Sequence, residues 1–170
     1  VQKSRIVFKT DSYGSVNINV IGKGISLKNS DGVNINTNSS SSVGYIYLAS
    51  GVYTLEARSL TRCRFQHSPL TSVEEFKIYS ENVDLTNCFA GCSLLKQVRG
   101  IDISSCKSAL DGFFASCSSL TYIEPFYKHA DMTTAVRMFQ NARITEFPLL
   151  NPENISDVSY MLSSTSITDL

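Results

Sequence analysis

Five cysteines, two histidines and a handful of carboxylates are the side chains of this 170-residue chain that could do covalent, metal or acid–base chemistry. Cys88 and Cys92 stand four apart, with His67 one repeat earlier, which raises a zinc site. Zinc sites pair two close ligands with two more, and the second pair is missing here. His129 with Cys106 or Cys117 would make a base and a nucleophile, but His129 sits in the polar run Tyr127-Lys-His-Ala-Asp131. Glu74, Glu75 and Glu124 could be read as carboxylates for sugar hydrolysis. They directly follow strand-like stretches, where solvated carboxylates are ordinary. No Gly-x-Ser-x-Gly elbow occurs, and Gly22-Lys-Gly24 is the size of a hairpin turn, too short to cradle a phosphate. The expectation is a protein that is not an enzyme and needs no metal or other cofactor.

The cysteine spacing points to the elements that position these groups. Cys63 to Cys88 is 25 residues, and Cys92 to Cys117 is 25 again. In the second series the next position is Ala142, so the column reads as a small buried packing residue. Adjacent coils stack within disulfide reach, at about 5 Å. A Cys92–Cys117 bond is therefore geometrically open, but reduced core thiols suit an odd cysteine count better.

The period extends through the C-terminal half. Leu85-Thr-Asn-Cys-Phe-Ala-Gly-Cys, Leu110-Asp-Gly-Phe-Phe-Ala-Ser-Cys, Ala135-Val-Arg-Met-Phe-Gln-Asn-Ala and Val158-Ser-Tyr-Met-Leu-Ser-Ser-Thr align, with Phe89, Phe114, Phe139 and Leu162 in one column. Leu95, Leu120, Ile144 and Ile167 form a second column, and Val98, Ile123, Phe147 and Leu170 a third. A fixed period in the twenties predicts units that bury their apolar faces by stacking on one another. Asp111-Gly-Phe-Phe-Ala-Ser-Cys117 is expected to form one or two helical turns, because Phe113, Phe114 and Cys117 can share a helix face. A short strand follows each such segment.

Before the repeat, apolar residues alternate at Ile6 and Phe8, at Val16, Ile18 and Val20, at Ile25 and Leu27, at Val33 and Ile35, at Ile46 and Leu48, and around Val52, Tyr53 and Leu55. Turn signals separate them at Asp11-Ser-Tyr-Gly14, Gly22-Lys-Gly24, Asn29-Ser-Asp-Gly32 and Ser50-Gly51. This pattern predicts an antiparallel β-domain. Asn36-Thr-Asn-Ser-Ser-Ser-Ser42 reads as a solvated loop tip.

The recurring pattern x-x-Met/Phe-Phe-x-x-Cys-x-x-Leu-Thr-x-Ile/Leu, with Asn154-Ile-Ser-Asp-Val-Ser-Tyr-Met161 leading into the last unit, resembles the BspA-like leucine-rich-repeat family. The resemblance covers roughly residues 60–170 and departs at Leu162, where phenylalanine is usual. It implies a curved solenoid of the kind found in bacterial surface adhesins, mycoplasma lipoproteins and bacteriophage structural proteins, and it transfers no catalytic residue. The expected fold class is thus α+β and β-rich. An antiparallel β-domain over 1–59 caps or attaches, and a leucine-rich-repeat solenoid of about four to five coils with a parallel strand ladder spans 60–170.

Charge bounds the partners. Fifteen Lys and Arg balance fifteen Asp and Glu, which excludes the basic footprint of a nucleic-acid or anionic-membrane binder. No apolar run approaches the ~18 residues of a membrane span. The opening stretch reads as a strand and lacks the apolar core of a secretion signal. The polar positions between the apolar columns, Lys96, Thr121, Tyr122, Thr145 and Thr168, form the candidate binding face. Ile167 and Leu170 form a candidate assembly edge, because a stacked sheet ends in unpaired backbone. These features point to a non-enzymatic interaction module. A bacteriophage virion component (capsid decoration, tail or fibre) is favoured, with a secreted or cell-surface bacterial adhesin as the alternative. The partners implied are other virion or cell-surface proteins, a host receptor or glycan, or a second copy of the chain.

Overall fold

A computed structural model describes residues 2–11, 13–36 and 39–168 of the chain. Strands occupy most of the alternating stretches: β1 (Ser4–Thr10), β2 (Gly14–Lys23), β3 (Ser26–Lys28), β4 (Ser42–Leu48) and β5 (Gly51–Ala57). Val33 to Ile35 contributes only an isolated bridge, Asn34 to Lys28. Then come β6 (Ser59–Arg64), β7 (Leu70–Lys77) and three two-residue strands, β8 (Gln97–Val98), β9 (Ile101–Asp102) and β10 (Tyr122–Ile123).

These strands make two sheets. One has seven strands in the order β10-β8-β7-β1-β5-β3, with β9 also on β7; the other has three, in the order β4-β2-β6. β1 is antiparallel to both β5 and β7, whereas β7, β8 and β10 run parallel to one another. Hydrogen bonds from the N-terminal strands therefore continue through β7 into the repeat region. The inward residues of both sheets, Ile6, Phe8 and Leu55 from one and Val16, Ile18 and Val20 from the other, belong to a single apolar core that runs on to Ile144 and Leu149.

The repeated segments overturn the expected α+β class: among the described residues there is no helix, and the architecture is all-β. Backbone accounting gives the reason. A helix needs successive N–H groups to donate four residues back. In residues 87–92 the donors alternate instead. Cys88, Ala90 and Cys92 donate three residues back, to Leu85, Asn87 and Phe89, at 3.1–3.2 Å. Asn87, Phe89 and Gly91 donate forward to the next repeat, to the carbonyls of Asp111, Phe113 and Ala115, at 2.8–2.9 Å. Gly112, Phe114 and Ser116 do the same to Val136, Met138 and Gln140, and Arg137, Phe139 and Asn141 to Ser159, Met161 and Ser163.

The dihedral angles follow the same alternation. Each rung carries two residues at positive φ, four apart: Asn87 and Gly91, Gly112 and Ser116, Arg137 and Asn141, Tyr160 and Ser164. A left-handed residue every fourth position stops a right-handed helix from propagating. At Gly112 the requirement is strict, since φ is +64° and a Cβ there would lie 2.0 Å from the Asn87 side-chain oxygen.

The rest of the expectation changes too. Parallel strand pairing is confined to β7, β8, β9 and β10, with only isolated parallel bridges elsewhere, so among the described residues Thr145 and Thr168 lie on non-strand segments and there is no leucine-rich solenoid with a continuous strand ladder. What repeats is a run of turns sharing a core column. Phe65, Phe89, Phe114 and Phe139 stack ring on ring, with centroids 5.6, 5.7 and 5.9 Å apart and planes within 14°. Phe8 of β1 meets Phe65 edge-on at 5.4 Å, joining the column to the sheets.

Replacing Phe114, which has no solvent exposure, by alanine should cost about 3–5 kcal/mol, a lost transfer term plus a cavity between two stacked rings. Tyr122→Ala, at an exposed position, should cost about 1 kcal/mol or less. Urea unfolding of the two variants measures the contrast.

Candidate binding surface

The parallel register that sets Ser72 beside Gln97 and Gln97 beside Tyr122 builds one polar edge of the molecule. Backbone bonds fix it: the Lys96 N–H donates to the Thr71 carbonyl at 3.0 Å, and the Thr121 N–H to the Lys96 carbonyl at 3.1 Å. Thr71, Lys96 and Thr121 thus lie on successive rungs, the last two exposed. A hollow of about 350 Å³ lies on one side, lined by Lys9, Asp11, Thr71, Ser72, Glu74, Lys96 and Gln97. A smaller one of about 120 Å³ lies on the other, between Thr121, Tyr122, Ile123 and Ile144, Thr145, Glu146.

Four of the candidates, Lys96, Thr121, Tyr122 and Thr145, therefore come together on this edge. The Arg99 guanidinium sits 4.9 Å from the centre of the Tyr122 ring and covers one of its faces. Thr168 is exposed one rung further on, beyond the single Ser166 N–H to Ile144 carbonyl bond. Ile167 is partly buried against the core, and Leu170 lies outside the described residues.

The groups that could react are placed elsewhere. All five cysteines are free thiols inside the core. The Cys92, Cys117 and Cys106 thiols donate to the carbonyls of Phe65, Phe89 and Ile78 in neighbouring rungs, at 3.1, 3.0 and 3.3 Å. Burial pushes Cys92 and Cys106 up to about 12, and it carries Cys88 and Cys117 well above the usual thiol range. Thiolate, the nucleophilic form, is thereby disfavoured. His129 Nδ1 accepts the Asp131 N–H at 3.0 Å, and the exposed His67 ring lies against Gly91. Among the described residues no group of three His, Cys, Asp or Glu side chains could hold a metal.

The carboxylates singled out in the sequence are engaged. Glu75 pairs with Arg5 and, at 3.0 Å, with Lys77. Glu124 accepts the Gly100 N–H at 2.5 Å, and Glu74 the Gln97 amide at 3.5 Å.

Two features escaped the sequence reading. Lys128 is buried at the position where earlier rungs carry Ile78 and Ile103, and its ammonium donates to the His129 carbonyl at 3.4 Å. The 25-residue spacing from Ile103 was the signal that could have found it. Asp84 anchors the other, a charged cluster at the start of the first rung. It accepts the Thr86 hydroxyl at 2.6 Å, the Thr86 N–H at 3.0 Å and Arg64 at 2.7 Å. Burial raises the Asp84 carboxyl, but the Thr86 bonds together with Arg64 and Arg62 outweigh it and hold it below the usual carboxylate range.

No helix among the described residues is long and apolar enough to cross a membrane. No family model matches the chain, and no curated protein or solved structure matches it significantly.

Two outcomes follow from these placements. A chromogenic disulfide reagent at pH ~8 should find no thiol in the native protein, and all five once denaturant exposes them; rapid native labelling would show that a cysteine is accessible. A carboxyl whose folded pKa is depressed stabilises above its unfolded value, near 4, and that gain is lost as pH falls through the folded value. Asp84→Asn should therefore lower the melting temperature at pH 7 and flatten its decline below pH ~4, read by thermal denaturation across pH.

Proposed function

We propose that this chain is a non-enzymatic interaction module, and specifically a bacteriophage virion structural component such as a capsid decoration, tail or fibre part. Its polar edge contacts another virion protein or a host-surface receptor or glycan. The observation that carries the reading is the contrast in placement. Lys96, Thr121 and Tyr122 are held in the open by bonds between rungs, with Thr145 exposed across a small hollow from them, whereas the thiols are buried and the carboxylates named above are engaged. A rigid row of polar and aromatic side chains on a packed scaffold is suited to recognition, since little conformational freedom is lost when a partner docks. Reduced core thiols fit assembly inside a cytoplasm. The virion setting rests on the resemblance of 60–170 to repeats found in phage structural proteins.

Purified particles from the source culture test this directly. The chain should band with them on a density gradient. Lys96→Ala/Thr121→Ala/Tyr122→Ala should cut its incorporation at least tenfold while leaving the melting temperature nearly unchanged. Fractionation with the cell envelope would favour an adhesin, and absence from both fractions would sink the surface role.

A further inference from the structure

The outer strand of the small sheet is open. β4 closes the order β4-β2-β6 and pairs on one side only, with β2. At its start the Asn36 amide donates to the Ser42 carbonyl at 3.3 Å, and just past its end the Tyr53 hydroxyl donates to the Ala49 carbonyl at 2.9 Å. Between those two points, over residues 43–48, no described residue bonds to its outer edge. The outer strands β3 and β6 are covered. Leu27 of β3 bonds to Asn34 and Ile35, and the N–H groups of Cys63, Phe65 and His67, in and just past β6, donate to Asp84, Cys88 and Ala90.

Its chemistry is unusual for an open edge. Natural edge strands are protected by charges, prolines or short length. Ser42-Val-Gly-Tyr-Ile-Tyr-Leu48 has neither charge nor proline, and no charged residue lies anywhere between Asp31 and Glu56. Two tyrosines project from its outer face, Tyr45 at 79% exposure and Tyr47 at 70%, with Tyr13 at 75% and 6.1 Å from Tyr47. The bulge opposite β2 falls between Val43 and Tyr45, so 45–48 is regular strand, with Tyr45 and Tyr47 on one face and Leu48 turned into the core.

We propose that β4 is a dimerisation edge: a second copy of this chain adds its own β4 antiparallel, about a two-fold axis at Ile46. Tyr45 then lies directly opposite Tyr47 of the second copy, and Tyr47 opposite its Tyr45, making two aromatic cross-strand pairs on one face. The two small sheets become one continuous sheet, and the open backbone groups of each copy satisfy those of the other. An edge without charge offers nothing to select a charged partner strand, and it meets no like-charge repulsion against itself. A two-fold interface uses the edge up, so the assembly closes as a dimer and does not grow into fibres. The surface is separate from the Lys96–Thr145 edge and does not depend on the function proposed for it.

The test is sedimentation equilibrium of the purified chain from about 1 μM to about 1 mM, with amide hydrogen exchange at both ends of that range. The expected result is a monomer–dimer equilibrium with a micromolar Kd, and slowed exchange at 43–48 only in the dimer. Tyr45→Lys/Tyr47→Lys places ammonium groups opposite ammonium groups across the axis. It should raise Kd at least tenfold with an unchanged circular dichroism spectrum, since both side chains are exposed. Tyr127→Lys, at another exposed tyrosine, should leave Kd unaltered. A monomer at every concentration overturns the proposal. So does a dimer that survives the double substitution or leaves exchange at 43–48 unchanged.

Discussion

The division of backbone donors within each rung is the constraint on which the rest of the structure depends. Alternate N–H groups close a turn inside their own rung, and the others reach the next rung. Neither set alone could satisfy a buried segment, and unpaired buried amides cost too much to leave. The left-handed residues at Asn87 and Gly91, and their counterparts in later rungs, make the alternation possible, because they turn every second donor out of the local turn. Residues other than glycine can enter such a site at a cost, and this chain uses Arg137 and Tyr160 as well as glycine and asparagine. The cross-rung bonds evidently repay that strain.

Once the rungs are locked, side-chain columns follow. Phenylalanines recur at the same place on each rung, so their rings stack near-parallel from Phe65 to Phe139. Thiols one turn away point back at the carbonyls of the preceding rung, which explains why residues capable of reaction are packed as small hydrophobes. The same locking sets Lys96, Thr121 and Tyr122 side by side on the outside. A recognition surface and an inert interior are thus two consequences of one backbone pattern.

The two sheets and the rungs share their frame. β1 lies between β5 and β7, so the strand nearest the N-terminus is bonded to the strand that opens the repeat region. β6 passes into the first rung through the Cys63 and Phe65 N–H groups. Packing of Phe8 on Phe65 carries the aromatic column into the sheets. The small sheet keeps one side unpaired at β4, and there the chain concentrates uncharged and aromatic residues.

The sequence by itself determined the period, the columns of Phe89, Phe114 and Phe139, the burial of the cysteines that follow the period, and the strands around Ile6 and Phe8, around Val16, Ile18 and Val20, and around Val52, Tyr53 and Leu55. Each is a matter of apolar spacing, and spacing is local information. It could not tell a helix from a run of turns at 111–117, because Phe113, Phe114 and Cys117 fall on one side in either conformation. Nor could it show that Thr145 and Thr168 leave the strand ladder, or that β4 is left unpaired. Those were decided by where amide donors found their acceptors, some two dozen residues away along the chain. A hydrogen bond between distant segments has no signature in the residue types of either one, and only the tertiary structure could settle it.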